Sequence, residues 1–160
     1  MIDDDDLAPM RAAIAASREA AARGDMPFGA VLVKEGRALL TALNNQNTAR
    51  DCTGHAETVL VRAAQRSLGD AALKGSTVYA SGEPCAMCAG AMFWAGITRV
   101  VYAASAPRMD GVLGGMTLRT RCADVLANAS PAVRVDGPLL EDEAVAVLEA
   151  SRSNPATLRS

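Results

Sequence analysis

Four residues in this chain have the types and the spacing to hold a metal ion and move a proton beside it. His55, the only histidine, opens the string His55-Ala56-Glu57. Further along, the stretch 82–96 reads GEPCAMCAGAMFWAG and carries Pro84-Cys85 and Cys88. Zinc takes thiolate sulfur and imidazole nitrogen in a tetrahedron. Cys85 and Cys88, three apart at a helix start, can point at one centre, and His55 at the start of a second helix can supply a third ligand. The fourth position is then open to water, whose pKa zinc lowers towards ~7. Glu57 follows His55 by two positions. Inside a regular helix two such side chains diverge by about 200°. At a loose first turn Glu57 can reach the water without ligating the metal, which is the position of a proton shuttle.

Two other arrangements use the same residues. Cys52-x-x-His55 with Cys85-x-x-Cys88 has the spacing of a closed, structural Cys₃His zinc site. Such a site uses neither Glu57 nor Pro84. A redox Cys-x-x-Cys leaves His55 and Glu57 unexplained. The fourth cysteine, Cys122, reads as a small buried hydrophobe.

Those residues need a scaffold, and the composition allows one. The chain has 160 residues, half of them hydrophobic, enough for a single domain over 1–160 with a sizeable core. With two Phe, two Tyr and one Trp, the interior must be filled mainly by Ala, Val, Leu and Met. The formal charge is −2, from 16 Lys and Arg against 18 Asp and Glu. A nucleic-acid binder would usually carry a basic excess or stripe, so nucleic acid is the less expected partner. The start MIDDDD has no secretory pattern, and no run approaches a membrane span. A soluble, cytoplasmic protein with no membrane partner is expected. There a Cys-x-x-Cys reads as metal or redox chemistry rather than as a disulfide.

Periodicity gives the elements that position the site. Asp3 to Asp6 read as a solvated tail. A helix is expected over 7–23, then a hairpin of strands 30–34 and 37–43 turning at Glu35-Gly36. A polar loop, 44–54, leads into a helix over 55–67, with Thr53 as a candidate cap. After a loop at 69–75 come a strand over 76–81, the helix 85–95 ended by Gly96, and a strand over 98–103. The Gly-rich segment 105–115 reads as irregular. A helix near 121–128, a strand at 132–135 and a helix over 141–151 follow, with 152–160 loosely ordered. Helices alternating with strands after a hairpin predict a three-layer α/β/α sandwich on a mixed sheet. Both motifs open helices, so two helix N-termini could meet at one place and favour thiolates.

His55-Ala56-Glu57 with Glu83-Pro84-Cys85-Ala86-Met87-Cys88-Ala89-Gly90-Ala91 closely resembles the cytidine/deoxycytidylate deaminase superfamily, whose H-x-E…P-C-x-x-C signature belongs to zinc-dependent nucleobase deaminases. The resemblance covers about residues 10 to 150. It implies a five-stranded mixed sheet, one catalytic zinc held by His55, Cys85 and Cys88, Glu57 as the shuttle, and commonly a homodimer. Within the superfamily the chain looks most like bacterial guanine deaminases, with tRNA-specific adenosine deaminases as the rival branch. Pro27-Phe28-Gly29-Ala30 has Phe where the tRNA enzymes usually carry an aliphatic residue, and Phe28 is expected to stack on a purine or else to enter the core. Phe93-Trp94-Ala95 has the guanine deaminase look, and Trp94 is expected to wall the pocket or to pack in the core or a dimer.

The same resemblance assigns Asn44, eleven residues before His55, to a hydrogen bond with the base; the alternative is a turn residue. It assigns Asp110 to the exocyclic amine, against a solvated loop acid. Gly54 and Cys52 stand where an Ala and a Pro are usual, so the loop beside the pocket departs in shape, and Gly54 is counted with the substrate-contacting residues. The expected reaction is hydrolysis of a free aminated nucleobase, guanine first. Wobble adenosine in tRNA is the alternative, or another ring such as cytosine, isocytosine or a triazine.

Overall fold

The structure is a computed structural model and describes residues 1–153. Helix α1 (Leu7–Ala22) leads into the hairpin of β1 (Gly29–Lys34) and β2 (Arg37–Leu43). Its turn places Glu35 and Gly36 at positive φ, 49° and 73°, the twist that a two-residue hairpin needs. Next come α2 (Gln46–Ala49), α3 (Ala56–Leu68), α4 (Asp70–Leu73), β3 (Thr77–Gly82), α5 (Ala86–Trp94) and β4 (Arg99–Ala104). The chain continues through α6 (Ala106–Leu113), α7 (Cys122–Leu126), β5 (Arg134–Asp136) and α8 (Glu141–Ser151).

The sheet order is β2-β1-β3-β4-β5. β1 runs antiparallel to β2 and β3, whereas β3, β4 and β5 are parallel. The mixed five-stranded sheet expected from the sequence is present, with helices on both faces. Alternation along the strands feeds two cores. Ala30, Leu32, Val78 and Val100 face a cluster with Leu60, Ala89 and Met92 from α3 and α5. Val31, Tyr79 and Val101 face a cluster with Met10 and Ile14 of α1 and Leu148 of α8. Among the described residues no helix is long and apolar enough to cross a membrane.

Three expectations need correction. The acidic N-terminus is not a solvated tail, because Asp4–Asp6 form a 3-10 turn capped by Asp3 and Asp6 is 1% exposed. Asp6 accepts from Arg99 Nη1 at 2.6 Å and from the Tyr79 hydroxyl at 2.5 Å. A buried carboxylate needs such donors, and they come from β4 and β3. The segment read as irregular contains α6. Ser105 is extended before it, Pro107 lies in its first turn, and Gly114 leaves it at φ +65°. The loops 44–54 and 69–75 contain the short helices α2 and α4, which are too brief for a periodic signal. Of the expected loose tail, Arg152 closes α8 by donating to Leu148 and Glu149 carbonyls, while positions 154–160 lie outside the described residues.

Candidate active site

His55 and Cys85 occupy the same structural position. Each is the N-cap of its helix, α3 and α5, with extended backbone: φ −66°, ψ 148° at His55 and φ −71°, ψ 174° at Cys85. Cys88 lies one turn into α5 and is fully buried. Because His55 is not yet helical, the divergence that a regular helix imposes on positions two apart does not apply to His55 and Glu57. Thr53 does not cap α3. Instead Thr58 Oγ1 donates back to the carbonyls of Thr53 and His55.

His55 Nδ1 lies 3.6 Å from Cys85 Sγ and 3.5 Å from Cys88 Sγ, and the two sulfurs are 3.7 Å apart. Tetrahedral zinc, with Zn–S of about 2.3 Å and Zn–N of about 2.05 Å, sets its ligands about 3.8 Å apart for S···S and about 3.6 Å for S···N. The three donor atoms are therefore already spaced for one zinc ion. Among the described residues the donor group within 4.8 Å comprises His55, Cys85 and Cys88 and does not include Cys52. Cys52 is exposed in its loop, so the closed four-ligand site is not formed. A hydrogen bond from Cys88, then that of His55, draws the Cys85 thiol down to about 4, which favours a thiolate before any metal binds. Glu57 is outside the ligand group but beside it, 6% exposed and against Cys88. Burial pushes its carboxyl above the ordinary value.

A family model, the cytidine and deoxycytidylate deaminase zinc-binding region, matches residues 3–104. The chain belongs to this deaminase family. The probable cytosine deaminase of Schizosaccharomyces pombe is 36% identical over 150 residues, 90% of each chain. The guanine deaminase of Bacillus subtilis is 46% identical over 78 residues, 49% of this chain and 50% of that one. A solved structure from a study of A-to-I editing by tRNA:A34 deaminases is 32% identical, with a TM-score of 0.73, and covers 87% of this chain and 97% of that one. The chain is thus a zinc-dependent hydrolytic deaminase with relatives acting on different amines.

Of the other residues singled out from the sequence, Phe28 and Asn44 lie together in the deaminase. Phe28 immediately precedes β1 and lies next to Gly82, where an added β-carbon would be 2.9 Å from its ring. The same β-carbon would lie 2.5 Å from Met109 Sδ, so Phe28 and Met109 share the space above Gly82. Asn44 donates its main-chain N–H to the Phe28 carbonyl and is 2% exposed. Its side-chain oxygen accepts from Gln46 N at 3.0 Å, and its Nδ2 donates to Gln46 Oε1 at 2.9 Å. Gly54 is buried and spends both main-chain groups inside its loop, donating to Asp51 and accepting from Asn45. The space left by its missing side chain is taken by Asn45 Oδ1 of the same loop.

Two expected residues lie elsewhere. Trp94 is 84% exposed at the end of α5 and touches Phe93 edge-on, so in this chain it walls no pocket. Asp110 is on the exposed side of α6.

The sequence reading missed the residues that hold these elements in place. Asp25, buried after α1, accepts from Asn47 N, Thr48 N and Thr48 Oγ1 and so pins α2 beside Asn44. Glu83 accepts from the main-chain N–H groups of Ala106 and Cys122 and from Arg121. The signal for Glu83 was its place before Pro84-Cys85. For Arg121 and Met109 no local signal existed.

Proposed function

We propose that this deaminase removes the exocyclic amine of a free nucleobase, guanine first, by hydrolysis to the oxo base and ammonia. The observation that carries this reading is that the zinc-spaced triad follows the end of β3 at Gly82, the same end of the sheet at which Phe28 and the buried Asn44 lie. His55, Cys85 and Cys88 would hold the zinc. When bound, zinc acts as a Lewis acid and brings the pKa of water towards ~7. Glu57 takes the proton from water, passes it to the ring nitrogen beside the amine-bearing carbon, and delivers the second proton to the departing amine. Water and the C–NH₂ group become C=O and NH₃, so every proton is accounted for. Burial suits Glu57 to this task, since a carboxyl with a raised pKa holds a transferred proton readily.

Asn44 orients the base. With Gln46 occupying one donor and one acceptor site of its amide, one N–H and one lone pair are left for a ring edge. Phe28 supplies the apolar ring against which a flat heterocycle rests. Cytosine is the second reading, favoured by the Schizosaccharomyces pombe relative matched over 90% of both chains. A tRNA substrate fits less well with a chain of net charge −2. The homodimer expected of the family would find in the exposed Trp94 a surface for a second copy.

Ammonia release from guanine, cytosine, adenosine and an anticodon stem-loop tests this reading. Release from guanine or cytosine supports a free base and ranks the two. Release from the stem-loop alone overturns it.

A further inference from the structure

Glu83 is a buried charge that takes no part in the proton transfers assigned to Glu57. Its carboxylate is 2% exposed and lies two residues before Cys85. Four donors converge on it. Arg121 Nε lies 2.8 and 2.9 Å from its two oxygens, and Arg121 Nη2 is 2.7 Å from Oε2. The N–H of Ala106, the first residue of α6, reaches Oε2 at 2.9 Å, and the N–H of Cys122, the first of α7, reaches Oε1 at 3.1 Å. Its own N–H continues the β3–β4 ladder to the Ala104 carbonyl. One carboxylate thus joins the turn before Cys85 to the starts of two helices.

The connection reaches the substrate side through α6. Met109 on that helix sits over Gly82 beside Phe28, with no room for a β-carbon between them. A shift of α6 away from the Glu83 turn would part Met109 from Phe28 and Gly82. Arg121 completes the anchorage, since its Nη2 also reaches the Tyr102 hydroxyl on β4 at 3.4 Å.

We propose that Glu83, paired with Arg121, is a positioning residue that sets the zinc turn and the Met109–Phe28 wall in one register. An ion pair whose carboxylate is buried while its guanidinium is 39% exposed is a poor source of net stability, because desolvation of the acid offsets much of the attraction. What it specifies well is geometry, through a bidentate fork and two fixed N–H groups. The inference rests on the zinc centre and not on which base is deaminated.

Glu83→Gln is the probe. It keeps size and shape but faces these donors with an NH₂ group in place of one oxygen. Zinc affinity, measured by chelator competition, is expected to fall about tenfold to a hundredfold, the range seen when support behind metal ligands is removed. The visible absorption of the cobalt-substituted protein is expected to shift, and kcat/KM to fall with it. Arg121→Lys keeps the charge, loses the fork, and is expected to move the same readouts less. Arg121 is 39% exposed, so this variant decides the matter if Glu83→Gln does not fold. Wild-type zinc affinity and cobalt spectrum in the variants that fold, with only Tm lowered, would overturn the proposal and leave Glu83 as a staple. These metal readouts need no substrate, so their failure is distinct from a failure of the nucleobase reading.

Discussion

The side-chain oxygen of Asn45 fills the place that a β-carbon on Gly54 would occupy. That oxygen is buried and has no hydrogen-bond partner among the described residues. Gly54 immediately precedes the ligand His55, and Asn45 immediately follows Asn44. The pair is therefore a steric fit between the two ends of the loop that joins Asn44 to His55.

Gly54→Ala should break that fit. The added methyl meets Asn45 Oδ1, the Asp51 carbonyl and Gln46 N, and overpacking of this kind costs about 1–3 kcal/mol. Thermal denaturation should show a lower Tm and kinetics a higher KM. Asn45→Ala in the same chain removes the colliding oxygen and should restore a large part of both. A double variant as impaired as the sum of the two single ones would contradict the fit.

Asp6 and Arg99 make a second prediction, about acid. The Arg99 hydrogen bond holds the Asp6 carboxyl well below the usual carboxylate range. A depressed native pKa gives stability that is present above the unfolded value, ~4, and lost as pH falls towards the native one. Asp6→Asn should lower Tm clearly at pH 7. The gap to the parent protein should narrow as pH drops below ~4. A gap that stays constant down to pH 2 would show that the charge on Asp6 is not what matters.

Trp94 carries the third. If a second copy covers it, Trp94→Arg should convert a dimer to a monomer in sedimentation equilibrium and leave a folded chain, because the ring is 84% exposed in one chain, with a Tm that no longer depends on protein concentration. A dimer that survives the substitution would place the interface elsewhere.

How far the sequence could be read follows from where each signal lay. The ligands were legible because few residue types bind zinc, and both strings sit at helix starts. The hairpin was legible from Glu35-Gly36 and its flanking strands. The helix α6 was not, because Gly111, Gly114 and Gly115 mask the start signalled by Ser105 and Pro107. Asp6 was read as solvated because Tyr79 and Arg99 stand 73 and 93 residues away. Glu83 and Arg121, 38 apart, meet only once β3 and β4 are side by side. Trp94 shows the converse. An aromatic beside the motif looked like a pocket wall, but its place at the end of α5 turns it outward.

His55, Cys85 and Cys88 are expected to hold a catalytic zinc, and Glu57 to move the protons. Glu57→Gln tests both in one preparation, by zinc content and ammonia release measured together. Zinc should remain at one ion per chain, because Glu57 is outside the ligand group. Ammonia release should fall about 10²- to 10⁴-fold, the usual contribution of a positioned acid–base group. Zinc-loaded Glu57→Gln protein releasing ammonia at the parent rate would contradict the account.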